Sequence, residues 1–167
     1  IAQRSTDTGQ SFTTAVAGGA MQAVASEDVA AAMFRTGAGT LASLTVSQVS
    51  AGRHNRLWFE IDGARASVAF NQEDAERLWI GLPEQREEVF VRGPGAGSAE
   101  QRRLSLLPAG HAQGYGHCFE AFVADTYRAI EGERPEGLPT FEDGVRSAQI
   151  VDRVIASART RAWTAIG

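Results

Sequence analysis

From Leu41 to Val91 the chain alternates apolar and polar side chains in short runs. In "LASLTVSQVS" (41–50), Leu44 and Val46 point one way and Ser43, Thr45 and Ser47 the other, the period of two that a strand imposes. "LWFEID" (57–62) sets Leu57, Phe59 and Ile61 against Trp58, Glu60 and Asp62. Asp62-Gly63 is a hairpin signal, after which "RASVAF" resumes with Ala66, Val68 and Phe70 on one side. "RLWIGL" and "EEVFVR" carry the pattern to Gly93-Pro94-Gly95. Short runs joined by short connections predict an antiparallel meander.

The period then changes. Residues 93–113 read as loop. From Tyr115 the apolar positions fall at Phe119, Phe122, Val123, Tyr127 and Ile130, with Thr126 among them, which is one face of a helix. Gly132 and Pro135 end it. Thr140 and Asp143 in "PTFED" have capping-box spacing and open a second helix, whose inner face is Val145, Ala148, Val151, Ile155 and Ala158. Strands followed by two amphipathic helices predict an α+β domain: an open, mostly antiparallel sheet with the helices packed on one face. The other face, a mixture of Ser, Thr, Gln, Trp and Val, meets solvent or a partner.

Two stretches are less decided. Residues 1–25 are small and polar with Phe12 and Val16 as the sizeable anchors, a loosely specified lead-in with room for one edge strand; the α+β domain is expected over 26–167. "SEDVAAAMFRTGAG" (26–39) has helical propensity, with Ser26 as N-cap, acids in the first turn, three alanines and Gly37 as a stop. Its place just before a strand, across a Gly-rich turn, favours the first arm of a hairpin instead.

Composition narrows the function classes. The 167 residues are 43% hydrophobic and 22% charged with a net charge of -4, a soluble globular balance that gives no electrostatic reason to bind nucleic acid. No run approaches the roughly 18 apolar residues of a membrane span, and the first residues have no signal-peptide pattern. A cytoplasmic location with no membrane partner is the expectation. One cysteine excludes an internal disulfide framework. The chain contains no lysine, all 16 basic residues being arginine, so amine chemistry and a Walker A loop are excluded. A start at Ile1 rather than Met suggests a piece of something longer.

The chemistry-bearing residue types crowd into "LPAGHAQGYGHCF" (107–119), with His111, His117, Cys118 and Tyr115. The six-residue histidine spacing fits no standard zinc pattern and the lone cysteine lacks a CxxC partner, so no metal site is predicted. His117 and Cys118 precede the helix's apolar stripe and read as helix-start residues. His111, held between glycines in a segment with little apolar anchoring, is a candidate ligand contact. "GAGTLA" (37–42) matches the dinucleotide fingerprint in letters but is followed by a β pattern, and so reads as a turn. The arginines are scattered; Arg53, in "RHNR" between two strands, is the one placed to reach an anionic group.

Several phrases carry a resemblance: "EDVAAAMFRTGAGTLASLTVSQVSAGRHNRLWFEIDGARASVAF", "ERLWIG", "LPAGHAQGYGHCFEAFVADTYRAI" and "PTFEDGVRSAQIVDRVIASA". Over roughly residues 26–163 the chain resembles the C-terminal domain of the Gfo/Idh/MocA oxidoreductases, relatives of glucose/fructose oxidoreductase and inositol dehydrogenase. Its most specific pieces are the "GHxQGY" loop and the "PTFEDG" helix start. The resemblance implies that "EDVAAAMFR" is a strand, and that the sheet's exposed face is an oligomer interface. It further implies an NAD- or NADP-dependent sugar or polyol oxidoreductase, with His111, Gln113, Tyr115 and Arg53 on the substrate side. The family's Rossmann domain, its glycine-rich phosphate loop and its Glu-Lys-Pro lysine precede the region matched here. The expectation is therefore a substrate-side and oligomerisation domain that binds no cofactor alone and is inactive alone, partnered by its own Rossmann domain, by further copies of itself and by a small sugar or polyol. Two readings compete with it: a non-enzymatic binding module using the same sheet, and a hydrolase using His111 or His117 with Cys118.

Overall fold

The computed structural model describes residues 3–5, 21–23 and 27–167. Two compact units are present, Ile1–Arg53 and His54–Gly167. The expected domain start at 26, the anchors Phe12 and Val16, and the Ser26 cap lie outside the described residues.

In the first unit, β1 (Gln3–Ser5) pairs antiparallel with β2 (Met21–Ala23), so the lead-in holds two short strands where one edge strand was expected. β3 (Val29–Arg35) pairs with β4 (Leu41–Ser47) in an unbroken register from Val29↔Ser47 to Arg35↔Leu41. The conflict over "EDVAAAMFR" thus resolves to a strand. Alanine's helical preference is worth only tenths of a kcal/mol per residue over ordinary competitors, and a complete ladder with its turn outweighs it. The turn is built by Thr36, whose amide donates to the Thr40 carbonyl (2.9 Å) and whose Oγ1 accepts from the Thr40 amide (3.1 Å). Gly39 sits there at φ 89°, a region that favours glycine.

The second unit opens with the meander. β5 (Trp58–Asp62), β6 (Ser67–Asn71), β7 (Arg77–Leu82) and β8 (Arg86–Val91) form a four-stranded antiparallel sheet in chain order. A single 3-10 turn, Gln72–Asp74, lies between β6 and β7. The register places Phe59, Ile61, Val68, Phe70, Leu78, Ile80, Leu82 and Phe90 on one face, largely apolar apart from Arg86 and Glu88 on β8, and the Phe59 and Phe70 rings meet there at 5.5 Å. The opposite face carries Trp58, Glu60, Ser67, Ala69, Trp79, Glu87, Val89 and Val91, the mixed surface the alternation predicts.

Three helices follow. α1 (Ala99–Leu104) stands inside the stretch that reads as loop in the sequence, and corrects that reading. It is one short turn-and-a-half, too brief to show periodicity, and it begins where Ser98 Oγ accepts from the Gln101 amide at 3.1 Å. α2 (Tyr115–Ile130) has the predicted extent and α3 (Phe141–Thr160) the predicted start. The α3 capping box is complete: Thr140 Oγ1 accepts from the Asp143 amide and Asp143 Oδ2 accepts from the Thr140 amide, at 3.3 and 2.8 Å.

The apolar helix stripes lie at the predicted positions but are not covered by the described residues. Phe119 is 52% exposed, Val145 58% and Phe141 95%, and no apolar side chain among the described residues is fully buried. Among the described residues the buried side chains are polar, those of Asp28, Ser105 and Asp125. A 3.6-residue period fixes which helix face is apolar; it does not fix what covers that face. No described helix is long and apolar enough to cross a membrane.

Candidate functional site

The "GHxQGY" segment lies between α1 and α2, and a polar framework holds it. The β7–β8 register pairs Arg77 with Val91, so Glu76 and Arg92 stand opposite each other one step beyond the ladder. Their backbones stay bonded there, the Arg92 amide donating to the Glu76 carbonyl at 2.9 Å. Glu76 Oε2 accepts from Arg92 Nε (2.9 Å) and Nη2 (2.7 Å), while Oε1 accepts from the Gln113 amide (2.8 Å). Arg92 also donates from Nη1 to the Leu107 carbonyl and from Nη2 to the His111 carbonyl, both at 2.8 Å. Both side chains are largely covered, at 14% exposure for Arg92 and 24% for Glu76. The Arg92 guanidinium first, and then the Gln113 amide, hold the Glu76 carboxyl below its ordinary range, so it is ionised at neutral pH.

Gln113 fastens the same segment from within. Its Nε2 donates to the Leu104 carbonyl (2.6 Å) and its Oε1 accepts from the Leu106 amide (2.8 Å). A turn closes at His111, whose amide donates to the Pro108 carbonyl (3.1 Å), with Gly110 at φ 85°. At the far end His117 Nδ1 accepts from the Gly114 amide at 3.2 Å, closing the first turn of α2 as a side-chain cap does. This agrees with reading His117 as a helix-start residue, and it leaves Nε2 as the protonated nitrogen of the neutral ring.

A second framework ties α1 to α2. Asp125 receives both Nη atoms of Arg103 at 2.9 Å and Nη1 of Arg128 at 3.2 Å, and Arg103 Nε reaches Glu100 at 2.7 Å. Asp125 is buried and its carboxyl is held below its ordinary range, chiefly by Arg103. The segment between the helices is therefore anchored at its start, middle and end.

Within that frame the candidates differ. His111 and Tyr115 present exposed side chains, and the Tyr115 ring rests against Phe119 with centroids 4.9 Å apart. Gln113 is half-buried with its carboxamide engaged at both ends. Arg53 belongs to the first unit, in a turn where its amide donates to the Ser50 carbonyl. A cavity of about 260 Å³ is lined by Gln113, His117, Cys118, Leu104, Phe122 and Pro139, and His111 is not among its walls. Cys118 is exposed, and no hydrogen bond among the described residues joins it to a histidine, so the hydrolase reading has no geometry behind it. Among the described residues no three His, Cys, Asp or Glu side chains are grouped to hold a metal. Glu76 and Arg92 escaped the sequence reading because their pairing exists only once the hairpin register is known.

The "GAGTLA" segment does not have the form of a dinucleotide fingerprint. Gly37 and Gly39 lie in the β3–β4 turn, and the strand β4 follows them, so no helix N-terminus is available for a pyrophosphate.

Residues 3–166 match the oxidoreductase family C-terminal alpha/beta domain of the Gfo/Idh/MocA proteins. Levoglucosan dehydrogenase from Pseudarthrobacter phenanthrenivorans is 29% identical over 139 residues, covering 82% of this chain and 35% of the relative. A solved levoglucosan dehydrogenase in complex with NADH and L-sorbose superposes with a TM-score of 0.79 at 26% identity, covering 89% of this chain and 40% of that one. An oxidoreductase domain protein from Kribbella flavida gives a TM-score of 0.75 at 27% identity, covering 88% and 40%. The chain thus spans about a third of the length of the curated relative and two-fifths of these solved structures. With the profile matched almost end to end and the α+β elements in the expected order, the chain belongs to the Gfo/Idh/MocA oxidoreductase family, as its C-terminal alpha/beta domain.

Proposed function

We propose that this domain is the substrate side of an NAD(P)-dependent sugar or polyol oxidoreductase whose cofactor domain lies elsewhere in a longer protein. In this reading His111 and Tyr115 line the sugar, Gln113 acts chiefly by holding the loop, and Arg53 keeps the role of a further sugar contact that the family resemblance implies. The observation that carries the reading is the contrast inside one segment: a backbone tied at Leu107, His111 and Gln113 beneath exposed His111 and Tyr115 side chains. Binding sites commonly take that form, adaptable side chains on a backbone fixed by scaffold contacts. The complexes of levoglucosan dehydrogenase with NADH and levoglucosan, or with L-sorbose, support a carbohydrate ligand and a nicotinamide cofactor.

The residues here supply binding and orientation only. Hydride transfer needs the nicotinamide beside the substrate carbon and an acid or base for the alcohol proton; the companion domain supplies the nicotinamide, so in this reading the isolated domain is inactive. The uncovered apolar positions, on the helix stripes and on both faces of the sheet, support self-association and docking of the companion domain. The test is a pyridine-nucleotide-linked screen of the full-length protein against sugars, anhydrosugars and inositols, with His111→Ala beside the parent. Turnover with a rise in the sugar KM for the variant is expected. A folded parent that reduces no pyridine nucleotide with any of them would sink the reading.

A further inference from the structure

We infer that Glu76 and Arg92 are positioning residues that set where His111 is presented to substrate; the inference rests on the reading of His111 as a sugar contact. Neither side chain needs to touch the ligand. One carboxylate performs two separate tasks, Oε2 gripping the guanidinium and Oε1 fixing the Gln113 amide. One guanidinium then fixes two carbonyls four residues apart, those of Leu107 and His111. Three points along a seven-residue segment are thereby referenced to the open end of a single hairpin.

An ion pair that only closed a hairpin would have no use for these extra bonds. Exposed pairs contribute little, whereas this one is mostly covered and directs its remaining donors at the loop. The loop has little apolar packing of its own: Leu106 is 54% exposed, and Ala109, Gly110 and Ala112 are exposed as well. Arginine is suited to the position because its planar fork serves several acceptors at once, which one ammonium group cannot do.

The experiment uses the full-length protein with Arg92→Ala, Arg92→Lys, Glu76→Gln, the Glu76→Ala/Arg92→Ala double variant and His111→Ala. Sugar KM, nucleotide KM and kcat are measured together with amide exchange over residues 107–114. Arg92→Ala is expected to raise the sugar KM by on the order of tenfold, the scale on which a small misplacement of a binding group acts, with the nucleotide KM unmoved. Arg92→Lys should rescue little. Glu76→Gln keeps an acceptor for the Gln113 amide and should fall between parent and Arg92→Ala. The double variant should lose no more than Arg92→Ala alone, since the two residues form one unit. Faster exchange at the His111 and Gln113 amides should accompany every loss. If His111→Ala raises the sugar KM while folded Arg92→Ala and Glu76→Gln leave both KM and loop exchange unchanged, the positioning role is overturned and the sugar reading stands. If loop exchange accelerates but neither His111→Ala nor Arg92→Ala moves the sugar KM, the sugar reading has failed and the positioning role with it.

Discussion

Gly81 on β7 offers a test of how the mixed face of the sheet is built. Trp79 and Gly81 lie on the same face of the strand, and the indole lies along it: a Cβ added at Gly81 would fall 2.5 Å from Trp79 Cη2 and 3.1 Å from Cζ2 and Cζ3. The ring is not free to swing away, because its Nε1 donates at 3.0 Å to Glu87 Oε2, and Glu87 is the residue directly across from Gly81. In Gly81→Ala the ring must therefore move and release that bond. Overpacking of this kind costs about 1–3 kcal/mol, and a lost hydrogen bond adds about 1 kcal/mol. Against this, alanine in a strand gains roughly 0.5–1 kcal/mol over glycine. The balance is a destabilisation of about 1–3 kcal/mol, or some 2–12 °C in Tm for a chain of this size. The decisive comparison is a double-mutant cycle read by urea unfolding. With Trp79→Ala in the background the clash disappears, and Gly81→Ala should become neutral or mildly stabilising. A stabilising Gly81→Ala in the parent, or an equal cost in both backgrounds, would refute the argument.

Two further outcomes follow from the local geometry. Arg161 ends α3 in the left-handed region at φ 53°; Arg161→Gly should raise stability by up to about 1 kcal/mol, because glycine adopts that conformation without the Cβ conflict, and a lower Tm for the variant would contradict this. Glu76 has its folded pKa held below the ordinary 4.5, so the contribution of its contacts is fully present above that value and is lost as pH falls through the lowered one. The Gln113 amide resonance, which reports the bond to Glu76 Oε1, should thus stay constant from neutral pH down to about 4.5 and titrate only below it; a midpoint above 4.5 would show that the bond does not govern that amide.

The meander was legible because alternation in "LWFEID" is unforced, and the row from Phe59 through Phe70 and Leu78 to Phe90 is apolar across the sheet. α2 and α3 were legible for the same kind of reason, the second down to its Thr140–Asp143 capping pair. α1 was not, being six residues long and packed with polar side chains. β3 shows where local signals point the wrong way: its alanines favour a helix, and only the ladder with β4 turns them into a strand.

The candidate site divides along similar lines. His111 could be singled out from its glycine-rich surroundings, and Gln113 and Tyr115 through the family resemblance, but their different situations could not. That Gln113 faces inward to Leu104 and Leu106 while His111 stays exposed depends on where α1 ends. By itself the sequence determined the periods, the hairpin turn at Asp62-Gly63, the starts of the two long helices and the family, since these are written in neighbouring residues. Only the tertiary structure decided that Glu76 and Arg92, sixteen residues apart, stand side by side and hold a loop belonging to neither strand. The reason is physical: side-chain patterning encodes which face a residue takes, whereas the register of a hairpin and the path of the chain beyond it decide which charges meet.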